Sequence, residues 1–337
     1  MKNTLRSMLS VMLALVLLLS CVAGCALAAD DVVVDVSAKF LYSDARGMLK
    51  LINDFRTGKE ANYLDKNNKT VVKASGLKKL TYDYNLEKVA MLRALEIAVY
   101  FSHTRPNGKK WTTAHSGSYT KGENLAYGYG SASAAFKGFK EDGKNYAGQG
   151  HRRNMLMKNF TRVGIGAVKV GGTIYWAQEF GSGKAGGSAS DKFSAKTVNA
   201  TWKTLAAGKT KISASAKEIT VAMGDTAALP KVLLTSRSGA KNSLHGVKWS
   251  LLNGKVAKIS GSKLVPVKKG TTELKVKVNG TEVKVKVTVA DKGNKKGDAT
   301  EALEDYLTPL GTEEEYYVVD EEEPAYEEGT DLSEEAE

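Results

Sequence analysis

Cysteine is nearly absent from this 337-residue chain, and the two present, Cys21 and Cys25, both fall within the first thirty residues. The body that follows therefore has no thiol. It can form no internal disulfide, no thiolate metal site and no thiol nucleophile. Three common catalytic signatures are also missing: a Gly-x-Ser-x-Gly nucleophile elbow, a His-Glu-x-x-His metal helix, and a phosphate-cradling glycine loop ending in Lys-Ser/Thr. Basic residues are absent from the last forty residues, where acids are dense. Residues 298–337 hold 17 Asp plus Glu and no Lys or Arg, which leaves residues 1–297 with a formal charge of +29. A basic body beside an acidic block points to electrostatic partners, although surface lysines also keep strands soluble.

The first residues read as an export signal. Lys2 and Arg6 open it, and Met8 to Ser20 is a 13-residue run with only Ser10 and Ser20 polar. That is too short for a membrane span. Ala26-Leu27-Ala28 suits cleavage that leaves Ala29 first, and predicts a signal peptide over 1–28. Val22-Ala23-Gly24-Cys25 suits lipid attachment at Cys25 instead. Both routes place the protein outside the cytoplasm, secreted or at the cell surface. Export argues against nucleic acid as a partner and leaves anionic cell-wall polymer as the exterior equivalent. Membrane contact is then expected only through a lipid anchor.

Beyond the signal the hydrophobic period changes twice. Met48, Leu51, Ile52 and Phe55 follow helical spacing and predict a helix over 44–56. Residues 85–101 predict a second helix, apolar on more than one face and so buried on most sides. Residues 131–146 predict a third, opened by Ser131 or Ser133 as N-cap. In that helix Phe136, Phe139 and Asp142 share a side, so Asp142 is expected to face inward. Two strands flank Gly171-Gly172. Gly181 to Ser188 reads as a flexible linker. Past it the period becomes two. Pairing Val278 with Thr281 around Asn279-Gly280 sets Lys277 opposite Glu282 and Val276 opposite Val283, a self-consistent hairpin. The expected organisation is a domain over 41–182, a linker over 183–209, an all-β domain over 210–290 and a disordered acidic tail over 291–337.

Four segments carry the chemistry: Phe101-Ser102-His103-Thr104-Arg105-Pro106, Gly122-Glu123-Asn124-Leu125-Ala126, Phe139-Lys140-Glu141-Asp142, and Gly150-His151-Arg152-Arg153-Asn154-Met155-Leu156. Two imidazoles and carboxylates from separate places make the composition of a divalent-metal or acid/base site. Their order and spacing resemble the CAP superfamily, the cysteine-rich secretory, antigen 5 and pathogenesis-related proteins, in its bacterial, SCP-like form. That resemblance implies an α+β fold, a three-layer α/β/α sandwich whose surface cavity is lined by His103, Glu123, Asp142 and His151. It also implies two departures, Asp142 where the family has Glu and Phe139 where it has Trp. The run Trp249-Ser250, Val256 to Ile259 and Gly270-Thr271-Thr272 resembles a bacterial Ig-like group-2 module, which implies an all-β sandwich serving as a spacer or adhesion module.

Three functions fit these residues. As a metal site, His103 and His151 are the expected ligands, with Glu123 and Asp142 as further ones and zinc the first choice of ion. As an extracellular peptidase or esterase, the same groups would activate a metal-bound water, or a histidine would act as base for Ser102. As a binding module, the domain would hold a lipid, peptide or glycan without turnover. The resemblance favours the last. Glu123 also has a structural alternative, holding a histidine in one tautomer. Taken alone, His115 and His245 read as loop residues, Arg152 and Arg153 as a basic rim, and Asn124 and Asn154 as hydrogen-bond partners of loop backbone.

Overall fold

The computed structural model describes residues 30–292; the signal segment with Cys25 and the acidic tail past residue 292 lie outside the described residues. No helix among the described residues is long and apolar enough to cross a membrane.

Chain order begins with two strands, β1 (Asp31–Asp35) and β2 (Ala38–Phe40), then helix α1 (Tyr42–Thr57). A small hairpin follows, β3 (Asn62–Leu64) and β4 (Val71–Lys73), with β5 (Thr81–Tyr82) and helix α2 (Tyr84–Ile97) after it. Next come β6 (Lys121–Tyr127), α3 (Ala132–Lys140) and α4 (Gly150–Leu156). The paired strands β7 (Arg162–Val170) and β8 (Thr173–Gly181) turn at Gly171-Gly172 as expected.

One sheet, ordered β2-β7-β8-β6 with β5 alongside β7, organises this part. Helix α2 is capped by Asp83, whose carboxylate accepts from the amides of Asn85 and Leu86. It lies so close to one face that a Cβ at Gly164 would stand 2.1 Å from the Glu87 nitrogen, and one at Gly166 would stand 2.2 Å from the Ala90 carbonyl. Only glycine permits that approach. The opposite face meets α1 and α4, because the Gln178 amide points at the sulfurs of Met48 and Met155. A helix layer, a sheet and a second helix layer make the expected three-layer α+β sandwich.

The chain past Gly181 is more ordered than its composition suggests. Tyr84 donates to the Gly186 carbonyl, the Gly186 amide donates to Asp83, and Thr161 donates to the Gly183 carbonyl. Within the segment read as a linker over 183–209 lie a strand, β9 (Thr197–Thr201), and a short helix, α5 (Trp202–Ala207). Composition reads backbone freedom; it does not register carbonyls and amides taken up by a neighbouring helix.

The remaining strands are β10 (Lys211–Ala214), β11 (Glu218–Ala222), β12 (Ala227–Ala228), β13 (Val232–Thr235), β14 (Lys241–Leu244), β15 (Ser250–Leu251), β16 (Ala257–Ser260), β17 (Lys263–Pro266), β18 (Gly270–Val278) and β19 (Thr281–Ala290). They form a β-rich unit, and its hairpin register is the one expected, with Lys277 against Glu282 and Val276 against Val283. One of its sheets runs β10-β13-β14-β1-β9. Strand β1, from the other end of the chain, is therefore an interior strand of this unit, with Val34 opposite both Val198 and Leu244. The unit does not begin at residue 210. A single hydrophobic cluster runs from Val34 through the α/β sandwich to Val276 and Val283.

Candidate functional site

Strand β6 is the outer strand of the sandwich sheet, and two consecutive residues on it hold the two histidines. Glu123 points to the α2 face, where its carboxylate meets His103 Nδ1 at 2.7 Å. Asn124 points to the other face and donates its amide to the His151 carbonyl at 3.1 Å. Asn154 ties the two together, donating to the Glu123 carbonyl and to Asn124 Oδ1. Both asparagines do hydrogen-bond backbone, but that of helix α4 and strand β6 rather than of a loop. The side chains of His103 and His151 remain 16% and 20% exposed, so both rings stay partly open to solvent.

The carboxylate on His151 belongs to Glu141, with Oε1 at 2.8 Å from Nδ1. Asp142, the residue expected there, is 62% exposed and pairs with Lys140 and Arg152. The physical reason is the end of α3. The helix stops at Lys140, and Glu141 takes a left-handed backbone with φ 51° and ψ 40°. Helical spacing counted on from Phe139 therefore fails one residue early. Glu141 turns inward and also accepts from the backbone amides of His151 and Arg152. The acid beside His151 is thus Glu141 and not the Asp142 that the resemblance implied. Phe139 does line this side, its ring edge-on to His151 at 5.3 Å.

Neither arginine of the fourth segment forms an open rim. Arg152 is buried, donating to the carbonyls of Lys140, Glu60 and Asn62 and lying over the Phe55 ring. Arg153 stacks on Tyr146 at 3.8 Å. Arg105 clamps Glu96 through Nε and Nη2, and the Thr104 amide donates to Ser102 Oγ, which together set the turn carrying His103.

Behind Glu123 lies a buried polar network that motif reading missed. Arg93 of α2 is fully buried and donates to Glu123 at 2.6 Å, to Glu96 at 2.6 Å and to the Ser102 carbonyl at 2.8 Å. Burial alone would raise the Glu123 carboxyl; Arg93 and His103 outweigh it and hold the group well below the usual carboxylate range. His115, read as a loop residue, has no exposed side-chain surface and binds Glu179 Oε2 at 2.9 Å. The available signal for Arg93 and Glu96 was their place in a helix expected to be buried on most sides, where charge demands a partner. For His115 the only signal was its aromatic surroundings, Trp111 and Tyr119 at four residues to either side.

As a metal site the tetrad is incomplete. Each Nδ1 is engaged by a carboxylate, so Nε2 is the remaining nitrogen of each ring, and the acids act as partners of the histidines rather than as donors to an ion. Among the described residues no group of three or more His, Cys, Asp or Glu is placed to hold a metal. Two imidazoles fall short of the three protein ligands usual for catalytic zinc.

Residues 49–180 match the model of the cysteine-rich secretory protein family, CAP. They form a CAP domain. Over 111 residues the chain is 34% identical to the uncharacterized protein YkwD of Bacillus subtilis (strain 168), covering 31% of this chain and 40% of that protein. The chain thus spans less than half of that relative's length. Among solved structures it is similar to Schistosoma mansoni venom allergen-like protein 4, with a TM-score of 0.32, 17% identity and coverage of 43% of this chain and 92% of the other. It is also similar to NaASP2 in a crystal structure with Zn2+, with a TM-score of 0.32, 20% identity and coverage of 43% and 85%. An outer surface protein from Borrelia burgdorferi matches with a TM-score of 0.31 at 16% identity, over 44% of this chain and all of the other.

Proposed function

We propose that this protein is an exported, non-enzymatic binding protein that acts at or outside the cell surface, with a CAP domain as its ligand-holding part and a bacterial Ig-like unit as its spacer. The observation that carries this reading is the clamping of both imidazoles. Each ring is fixed through Nδ1 by a buried carboxylate, so each presents Nε2 in a set orientation. The one hydroxyl considered as a nucleophile, Ser102 Oγ, accepts from the Thr104 amide within its own turn. That arrangement suits recognition of a hydrogen-bonding ligand such as a wall glycan or peptide. The β-rich unit supplies a second contact. Residues 209–292 contain 17 Lys plus Arg against 5 Asp plus Glu, a surface suited to anionic wall polymer.

A soluble glycan–peptide fragment of cell wall, titrated into the full chain, should perturb the ring signals of His103 and His151 saturably, and the fragment should be recovered uncleaved. Retention on anionic polymer should weaken steeply with salt, since exposed charges are screened over about 8 Å at physiological ionic strength. Cleavage of the fragment that stops in His151→Ala would make the protein a hydrolase instead. Ring signals that ignore the fragment would remove the histidines from ligand binding.

A further inference from the structure

Glu123 and Glu179 stand directly opposite each other in the β6–β8 register. Neither carboxylate has any exposed surface. The charges around them are unequal to the task of holding two anions. From α2 come Arg93 and Glu96, from β6 Lys121, from β7 Arg162, and from the turn region His103, His115 and Tyr119. Arg93 is the one buried cation among these, and its donors go to Glu123, Glu96 and the Ser102 carbonyl. Lys121 and Arg162 lie over the Tyr119 ring at 4.4 and 4.3 Å instead. Glu179 has only His115, at 2.9 Å from Oε2, and its Oε1 is a buried oxygen with no hydrogen-bond partner. A carboxylate left in that state carries the full desolvation cost of an unpaired charge. A carboxylic acid does not. Protonated, it becomes a donor, and the acceptor opposite it in the register is the Glu123 carboxylate.

We propose that Glu179 is a neutral carboxylic acid that, with His115 behind it, positions the His103 site by hydrogen-bonding Glu123 and keeping it an anion. The protons balance along one line. Glu179 donates its O–H to Glu123. His115 is neutral, donating from Nε2 to Glu179 and accepting at Nδ1 from the Tyr119 hydroxyl, 2.8 Å away. Glu123, anionic, receives the Nδ1–H of His103. His103 is thereby fixed in the tautomer whose Nε2 accepts, so the site presents an acceptor to a hydroxyl or amide donor on a ligand. Two buried carboxylates sharing one proton follow the rule for like charges in a dry site. Burial, with Glu123 opposite, pushes the Glu179 carboxyl well above its ordinary range, in keeping with this assignment. The acceptor role toward ligand rests on the binding reading above; the protonation does not, and it is tested without any ligand.

The test uses the full chain at neutral pH. Infrared spectra of wild type should show a carboxylic-acid carbonyl stretch that disappears in Glu179→Gln and persists in Glu141→Gln. Ring 15N signals should report the Nδ1–H tautomer of His103 in wild type and in Glu179→Gln, which keeps a neutral group able to donate. Glu179→Ala should lose that single tautomer. The thermal midpoint of Glu179→Gln should match wild type near pH 5 and exceed it increasingly toward pH 8, because only wild type must there hold its proton against the solvent. No acid band in wild type, or a His103 tautomer that changes in Glu179→Gln, would overturn the proposal. The infrared result stands even if Glu179→Ala fails to fold.

Discussion

Glu141 and Asp142 are neighbours in sequence and opposites in environment, and the difference gives the sharpest test at the scale of single residues. Glu141→Gln replaces one of two buried acceptor oxygens, which serve the His151 ring and two backbone amides, by a donor, so it should cost about 1–3 kcal/mol and broaden the His151 ring signals. Asp142→Asn, on an exposed side chain, should stay within about 0.5 kcal/mol. Equal effects in thermal melts would contradict the assignment of Glu141 to the site. The choice of residue types was legible beforehand: two histidines, Glu123 and a second acid, read as Asp142. Which acid was not, because a one-residue change in where a helix ends reverses the direction of a side chain. His115 supplies a pH prediction. Burial lowers its pKa to about 4, below the ordinary histidine value of about 6.5. The unfolded chain therefore binds the extra proton first, and the native state should lose stability as pH falls from about 6.5 to about 4, by up to about 3 kcal/mol. A His115→Phe variant should flatten this acid limb in denaturant titrations at several pH values; an unchanged limb would show that His115 is not what titrates.

Helix α3 shows how an element can be recognised while its reason is not. Its N-cap is Ser131, one of the two serines expected there, and the hydroxyl accepts from the Ala134 amide. Gly138 reads in sequence as a weakness, about 1 kcal/mol worse than alanine in a helix. In the fold it is a contact surface: a Cβ there would stand 2.3 Å from the Tyr129 hydroxyl and 2.4 Å from its Cζ. Gly138→Ala should therefore destabilise by about 1–3 kcal/mol despite the better helix former, through overpacking. In a Tyr129→Ala background the same change should become neutral or stabilising, a coupling that a double-mutant cycle measures. Additive effects would mean the two residues do not meet. Propensity belongs to a residue alone, whereas this constraint lies in a tyrosine nine positions earlier. The β18–β19 hairpin was legible to the register because its turn residues and its alternation agree. The linker over 183–209 was not, because its ordering comes from partners far away in sequence.

At the scale of the whole molecule, the interior position of β1 makes the two ends of the described region depend on each other. The segment Asp31-Val32-Val33-Val34-Asp35 alternates as a strand should, with Val32 and Val34 buried and Val33 half-buried. It pairs with β14 on one side and β9 on the other, so removing it cuts the edge strand β9 off from the sheet and exposes both neighbours. Each buried valine contributes about 1.5–3 kcal/mol of apolar transfer free energy, and Val32, Val34 and Val36 are all buried, so their summed loss is comparable to the 5–15 kcal/mol that holds an ordinary domain together. Residues 210–292 on their own should therefore show no cooperative unfolding, while residues 30–292 should. Val34→Asp in the full chain should melt the β-rich unit well before the CAP domain, because it places an unpaired charge at a fully buried position. Val33→Thr, at the half-buried position between them, should change little. The measurement is calorimetry with near-ultraviolet circular dichroism, following the Trp249 environment for the β-rich unit and Trp176 for the CAP domain. A cooperative transition in the isolated 210–292 fragment at the full chain's midpoint would show that β1 decorates the sheet without completing it.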